Sequence, residues 1–399
     1  MAQSPTSPDR SAVATTEAVP LSRPDLTEAE RRAVADVMQS PRLAFGPQLD
    51  AFESHMAERC GTAHAVAVSS GTAALHCIVR GLGIEAGDEV ITTPYSFVAS
   101  SNAILFEDAR PRFVDIDPTT YNIDVAQVEA AITERTRAIL AVDVFGCPAN
   151  WPALTALAEA HDLLLIADAC EAIGASIDDR PIGSWGHAAS FGFYPNKQIT
   201  TGEGGCITTD DADLARACRS LRNQGRADDG QMRHVRLGYN YRLDELSAAL
   251  GRVQLERLDE ILARRAAVAA AYHEALAPLK EHLVLPTTPP GRTRSWFVYV
   301  VRLREDVGGA PIRDQVLASL REARIGCAPY FPAIHLQPYY RDRFGFQRGD
   351  FPVCESVADR TFALPFFGGM TNAQVHRVAD VLGEVLSSLS SSSVHQVGE

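Results

Sequence analysis

Short, unbroken apolar runs, separated by stretches of helical period, constrain this chain more than any other feature of its sequence. They fall at 65–68, 89–92, 112–115, 138–144, 163–167, 188–193 and 205–208. Several are continuous instead of alternating, as strands buried on both faces of a sheet must be. Helical patterns fit between them at 72–81, 125–131 and 151–161. This predicts an α/β fold whose large domain holds a mainly parallel sheet of about seven strands.

The pattern changes at Leu243. Leu243, Leu246, Leu250, Val253, Leu258 and Ile261 recur at helical spacing, which predicts one long helix over 243–276 that leaves the large domain. A strand at 296–303, a helix at 312–324 and a last helix at 371–386 then form a smaller α+β unit. The expected division is a large domain over 20–260 and a small C-terminal domain over 261–386. The flanking tails, 1–19 and 387–399, are rich in small and polar residues and are expected to be disordered.

The formal charge of −13 argues against nucleic acid or an anionic membrane as a partner. Eight cysteines without a Cys-x-x-Cys pair signal neither a metal site nor a redox pair, and suit a reducing compartment. Residues 1–20 lack the basic start and apolar run of a secretory signal, so a cytoplasmic location is expected.

Only Lys197 and Lys280 are lysines among 37 basic residues. Where arginine serves most surface charges, a retained lysine is either a chance surface residue or a candidate for a place that needs a deprotonatable amine. Lys280 lies in the polar stretch Lys280-Glu281-His282 and reads as surface. Lys197 lies in a Gly/Thr/Asn-rich turn between two strand-like runs, where an amine nucleophile fits. Ser69-Ser70-Gly71-Thr72 ends the first buried run and opens a helix, which suits either a plain cap or a phosphate cradle. Asp168 ends the run 163–167, at the sheet edge where open α/β folds bind ligands. There it is a metal ligand, a plain loop acid, or the partner of a protonated pyridine nitrogen. Glu171 follows three residues on.

These residues together resemble the sugar-nucleotide aminotransferases of the DegT/StrS family, fold-type I enzymes dependent on pyridoxal 5′-phosphate (PLP). The resemblance runs from about Pro20 to Leu386. It is carried by Gly71-Thr72-Ala73-Ala74-Leu75, Asp88-Glu89-Val90-Ile91, Phe97, Phe113-Val114-Asp115, Asp168-Ala169, Lys197 with Thr201-Gly202-Glu203-Gly204-Gly205, Gly238-Tyr239-Asn240-Tyr241-Arg242, and Pro338. It implies that Lys197 carries PLP as a Schiff base and moves the proton between Cα and the cofactor C4′. It further implies that Asp168 keeps the pyridine nitrogen protonated, Gly71 and Thr72 hold the phosphate, Phe97 stacks on the ring and Glu171 lies near the ring hydroxyl. Asn240 is implied to reach a phosphate across a homodimer interface. Phe45-Gly46, Tyr194 and His335 resemble substrate-side positions, with a structural role for His335 equally open.

One position departs from the family. Many relatives carry a phosphate-binding serine five residues before the lysine, and here that residue is Gly192; Ser190 lies on the same strand face. The implied reaction is a ping-pong transfer from an amino acid, glutamate by expectation, to a ketosugar linked to a nucleotide. A cyclitol or other natural-product ketone is the alternative acceptor, and a non-catalytic PLP-binding regulator the alternative class.

Overall fold

The structure, a computed structural model, describes residues 17–229 and 231–395. Seven strands form the main sheet: β1 (His64–Val68), β2 (Glu89–Thr92), β3 (Arg110–Phe113), β4 (Thr136–Val142), β5 (Leu164–Asp168), β6 (Ala188–Gly192) and β7 (Gly205–Thr209). Their spatial order is β1-β7-β6-β5-β4-β2-β3. β7 runs antiparallel to both its neighbours, and the remaining pairs are parallel. The sheet is buried between two apolar layers, which explains the continuous apolar runs: Ala67, Ile139, Leu165 and Phe191 face one layer, and Val66, Ala138, Ile166 and Ile207 the other.

This topology brings the ends of β1, β5 and β6 to one edge. Val68 and Gly192 both lie opposite Gly205, and Asp168 lies opposite Ser190. A Cβ on Gly205 would collide with the Ser70 carbonyl, so this close approach of β7 to the following turn requires glycine.

Two strands sit differently from expectation. β3 ends at Phe113 because Asp115 has already left the sheet; its carboxylate accepts the Val353 and Cys354 N–H groups at 2.8 and 2.7 Å. β4 ends at Val142, and Val144 enters a 3₁₀ turn, Val144–Gly146.

The predicted long helix is two, Glu245–Glu256 and Leu258–Leu276, broken at Arg257 (φ −100°, ψ 5°). The Arg257 guanidinium is held there by Glu30 and by Asp25, the latter at 3.0 Å. Leu258 and Ile261 belong to the core of the main sheet, whereas Val268, Tyr272 and Leu276 belong to the core of the smaller unit. That unit has a four-stranded antiparallel sheet in the order Leu283–Val284, Tyr299–Leu303, Thr361–Leu364, Ala328–Pro329.

Both expected tails need correction where they are described. Val19 is buried in the small unit's core and pairs with Ile325, while Glu17 and Ala18 beside it are exposed; 1–16 lie outside the described residues. The last helix is Asn372–His395 and continues past Leu386. Leu386 is buried and Leu389 packs against the same core, which carries the helix through the serines between them. Residues 396–399 lie outside the described residues. No described helix is long and apolar enough to cross a membrane.

Candidate active site

The lysine turn closes on itself. Phe193 N–H donates to Gly204 O at 2.9 Å, and Phe193 O accepts from Thr201 N–H at 3.1 Å and Thr200 Oγ1 at 2.9 Å. Within this loop Lys197 N–H bonds Tyr194 O at 2.9 Å, and Gly202 takes φ +82°. The Gln198 amide anchors the turn from behind, donating to Glu171 O at 2.6 Å and to the Ser295 hydroxyl at 2.7 Å. The Lys197 side chain is thereby held nearly buried, its Nζ 3.4 Å from Glu171 Oε1 and 4.0 Å above the Phe297 ring.

Two buried carboxylates share the cavity with this amine, and the exposed Glu203 lines it as well. Glu171 is buried and accepts the Phe145 N–H at 2.9 Å. Burial pushes its pKa up, and the Lys197 charge and the Phe145 N–H oppose that rise. Asp168 is also buried and accepts from the Ser100 hydroxyl at 2.6 Å and the Cys170 N–H at 3.2 Å. It makes no ion pair among the described residues. A buried carboxylate without a cation calls for one.

Beside them the helix Gly71–Gly81 begins. Its cap Ser70 accepts the Ala73 N–H at 3.0 Å, which leaves the first N–H groups of the helix for an anion. A Cβ on Gly71 would lie 2.8 Å from Cys170 Sγ, so glycine is what lets this turn approach the strand ends. Gly71, Thr72, Phe97, Asp168, Glu171, Tyr194 and Lys197 all line one cavity of about 440 Å³. Phe97 is 61% exposed and forms part of its wall. Phe97, Ser96 and Phe331 also border an adjoining groove of about 720 Å³ with aromatic walls.

Four residues singled out from the sequence lie elsewhere. His335 is fully buried with Nε2 2.9 Å from Glu355 Oε1, and Glu355 also accepts the Gly349 N–H at 2.9 Å. It lines neither space and is held by Glu355, which favours the structural one of the two roles open to it. Gly46 caps the helix Pro47–Cys60, whose first N–H groups, with its own, are bound by Glu245 at 2.9 to 3.0 Å. Phe45 stands beside it, half-exposed, with Arg222 over its ring; neither lines the cavity in its own chain. Asn240 is exposed and outside the cavity. It does not cap the following helix, because Asp244 does, accepting the Ser247 N–H at 2.9 Å.

Ser190 does not replace the missing serine. It is buried, donates to Ala167 O at 3.3 Å and does not line the cavity. Sequence reasoning missed Ser100, Phe297 and Tyr330, which reach the cavity or its carboxylate from distant segments with no local motif to mark them.

A sheet of this order with a lysine, a cation-seeking carboxylate and an anion cradle at one edge defines a fold-type I PLP enzyme. The residues fit the cofactor: Asp168 for the pyridine nitrogen, Lys197 for the aldehyde carbon, and the start of the helix Gly71–Gly81 for the phosphate. Residues 24–383 match the DegT/DnrJ/EryC1/StrS aminotransferase family. The chain is 38% identical to GDP-perosamine synthase of Caulobacter vibrioides over 369 residues, covering 92% of this chain and 98% of that protein. Among solved structures it resembles DesV of S. venezuelae (38% identity, TM-score 0.84, covering 90% and 94% of the two chains). It also resembles a putative sugar aminotransferase of Streptococcus pneumoniae in its PMP form (25% identity, TM-score 0.88, covering 93% and 100%). The chain belongs to the DegT/DnrJ/EryC1/StrS family and is a PLP-dependent aminotransferase.

Proposed function

We propose that this enzyme aminates a keto group of a nucleotide-linked sugar, taking the amino group from an amino acid, glutamate in the simplest case, in a ping-pong cycle. The observation that carries this reading is the cavity around Lys197 and Asp168 opening onto the larger aromatic-walled groove, which leaves room for a substrate far bulkier than an amino acid. The kinship with GDP-perosamine synthase supports the same substrate class.

PLP supplies an electron sink that lets an amino group pass between carbon skeletons. The chain supplies the rest. Lys197 would hold the cofactor and, once freed, its amine over Phe297 would be placed to carry a proton at the substrate Cα. Asp168, oriented by Ser100 and the Cys170 N–H, keeps the proton on the pyridine nitrogen. Glu171, fixed by the Phe145 N–H, faces the lysine and would lie near the cofactor's ring hydroxyl.

The enzyme works as a cytoplasmic homodimer with shared sites. Asn240 lies outside its own cavity on a segment whose neighbours Met232, Val235 and Leu237 are 74%, 53% and 70% exposed, an apolar surface suited to a second copy of the chain. Asn240 of one subunit then reaches the phosphate bound in the other, and takes over a contact that Gly192 cannot make. Phe45 and Gly46, substrate-side by family resemblance, lie outside their own chain's cavity.

Enzyme in the pyridoxamine form, mixed with a panel of nucleotide-linked ketosugars, should regain PLP absorbance with at least one of them. Recovery only with cyclitol ketones would replace the proposed acceptor. Failure of glutamate alone to generate the pyridoxamine form would remove the proposed donor.

A further inference from the structure

Asn240 sits between two tyrosines that face the other way. The Tyr239 and Tyr241 rings stack at 4.9 Å and 15°, and both pack on His76, at 4.6 and 5.8 Å. In an extended segment, alternate residues share a face, so anchoring the two tyrosines inward sets Asn240 outward. His76 lies on the helix that starts at the phosphate turn. Its Nδ1 is 3.1 Å from the Tyr241 hydroxyl and its Nε2 2.8 Å from Glu107 Oε1. Glu107 in turn accepts from Arg80 at 2.6 Å.

The proton arrangement follows from these partners. A carboxylate only accepts, so Nε2 carries the hydrogen toward Glu107. Burial lowers the His76 pKa and keeps the ring neutral. Nδ1 is then an acceptor and the Tyr241 hydroxyl donates to it. The backbone is fastened on either side of Asn240: Tyr239 N–H to Leu221 O at 2.7 Å and Tyr241 N–H to Arg222 O at 3.0 Å. Tyr241 O also accepts the Ser69 N–H at 2.9 Å, immediately before the Ser70-Gly71-Thr72 turn.

We propose that His76 and Tyr241 are positioning residues that aim Asn240 at the partner's cofactor phosphate while tying its segment to the phosphate turn of their own chain. The inference rests on the shared-site reading above. Neither residue lines the cavity; their proposed effect on PLP binding passes through Asn240.

The test is a double-mutant cycle read by PLP titration of apoenzyme, not by turnover. Tyr241→Phe removes one oxygen and leaves the ring packing in place. Loss of the hydroxyl should weaken PLP binding about three- to tenfold, the scale of one hydrogen bond. Asn240→Ala should weaken it about tenfold or more. In the Asn240→Ala background, Tyr241→Phe should then have no further effect. Equal weakening in both backgrounds, or none in either, would overturn the positioning role and leave the shared-site reading standing. Unchanged PLP affinity in Asn240→Ala would instead overturn the shared-site reading, and the proposal with it. His76→Gln should repeat the Tyr241→Phe pattern, and loss in both backgrounds would count against the proposal in the same way.

Discussion

The turn at Phe193–Gly204 and the segment around Asn240 serve one reaction in opposite ways. The lysine turn is pinned by its own backbone, by Gln198 and by Glu171, and its amine is nearly buried. The Asn240 segment is fastened from beneath and carries its functional group into solvent beside Met232, Val235 and Leu237. One region encloses chemistry that must be kept from water; the other presents a contact that makes sense only when another molecule covers it. On the shared-site proposal, a single chain builds the reactive half of one site and, at a distance, one donor for a different site.

The largest expected effect breaks the enclosed half. Lys197→Ala should abolish transamination, a loss of at least about a thousandfold, because no other amine lines the cavity to move the proton. Its circular dichroism and melting temperature should stay close to those of the unaltered enzyme. Lys280→Ala should leave turnover unchanged. Appreciable turnover by purified Lys197→Ala would sink the assignment.

Next in size is Asp168→Asn. An amide cannot hold the pyridine nitrogen protonated as a carboxylate does, so turnover should fall about a hundredfold or more while PLP still binds. Near-normal kcat would show that Ser100 and the Cys170 N–H orient the side chain for some other purpose.

The comparison also accounts for what the sequence could show. Lys197, Asp168 and Gly71-Thr72 were legible because each stands at the end of a continuously apolar strand, and strand ends can be located from the chain alone. His335 left two roles open, because the partner that meets its buried ring, Glu355, lies twenty residues on and on another helix. The break at Arg257 was hidden because apolar spacing persists through it; the residues that hold it, Asp25 and Glu30, are more than two hundred positions away. Ser100 carries no motif, and only the fold brings the helix Ala99–Leu105 to Asp168, 68 residues further along the chain. Contacts made through folding, unlike periodicity, leave no local trace.

A smaller effect tests whether the two regions belong to one site. Asn240→Ala and Lys197→Ala subunits, mixed and exchanged, should form heterodimers with one intact site, since both lesions then fall in the other. Heterodimers make up about half of an exchanged equimolar mixture and carry one intact site of two, so at a PLP concentration too low to load Asn240→Ala the activity should rise toward about a quarter of that of the unaltered enzyme, above that of either parent. If verified exchange restores nothing, Asn240 acts within its own chain.

The smallest effect concerns the cost of enclosure, which falls on the buried carboxyls behind the lysine and spares the outward segment. Asp143 is fully buried; its Oδ1 accepts the Ala149 N–H at 2.7 Å and the Trp151 indole N–H at 2.8 Å, while Oδ2 has no partner among the described residues. Burial, with the Asp168 charge nearby, pushes its pKa from 3.8 up to about 7, against the pull of those two donors. The folded protein therefore holds a proton that the unfolded chain releases between these values. Stability from this group is fully present below 3.8, falls as pH rises through that window, and is level above about 7. Asp143→Asn removes the titration and keeps the shape. Compared as apoenzymes, the difference in melting temperature should move in favour of Asp143→Asn by a few degrees between about pH 5 and about pH 8. A difference that stays constant across that range would mean that Asp143 is ionised throughout, and that the enclosed half of the site tolerates a buried negative charge beside Asp168 without a proton.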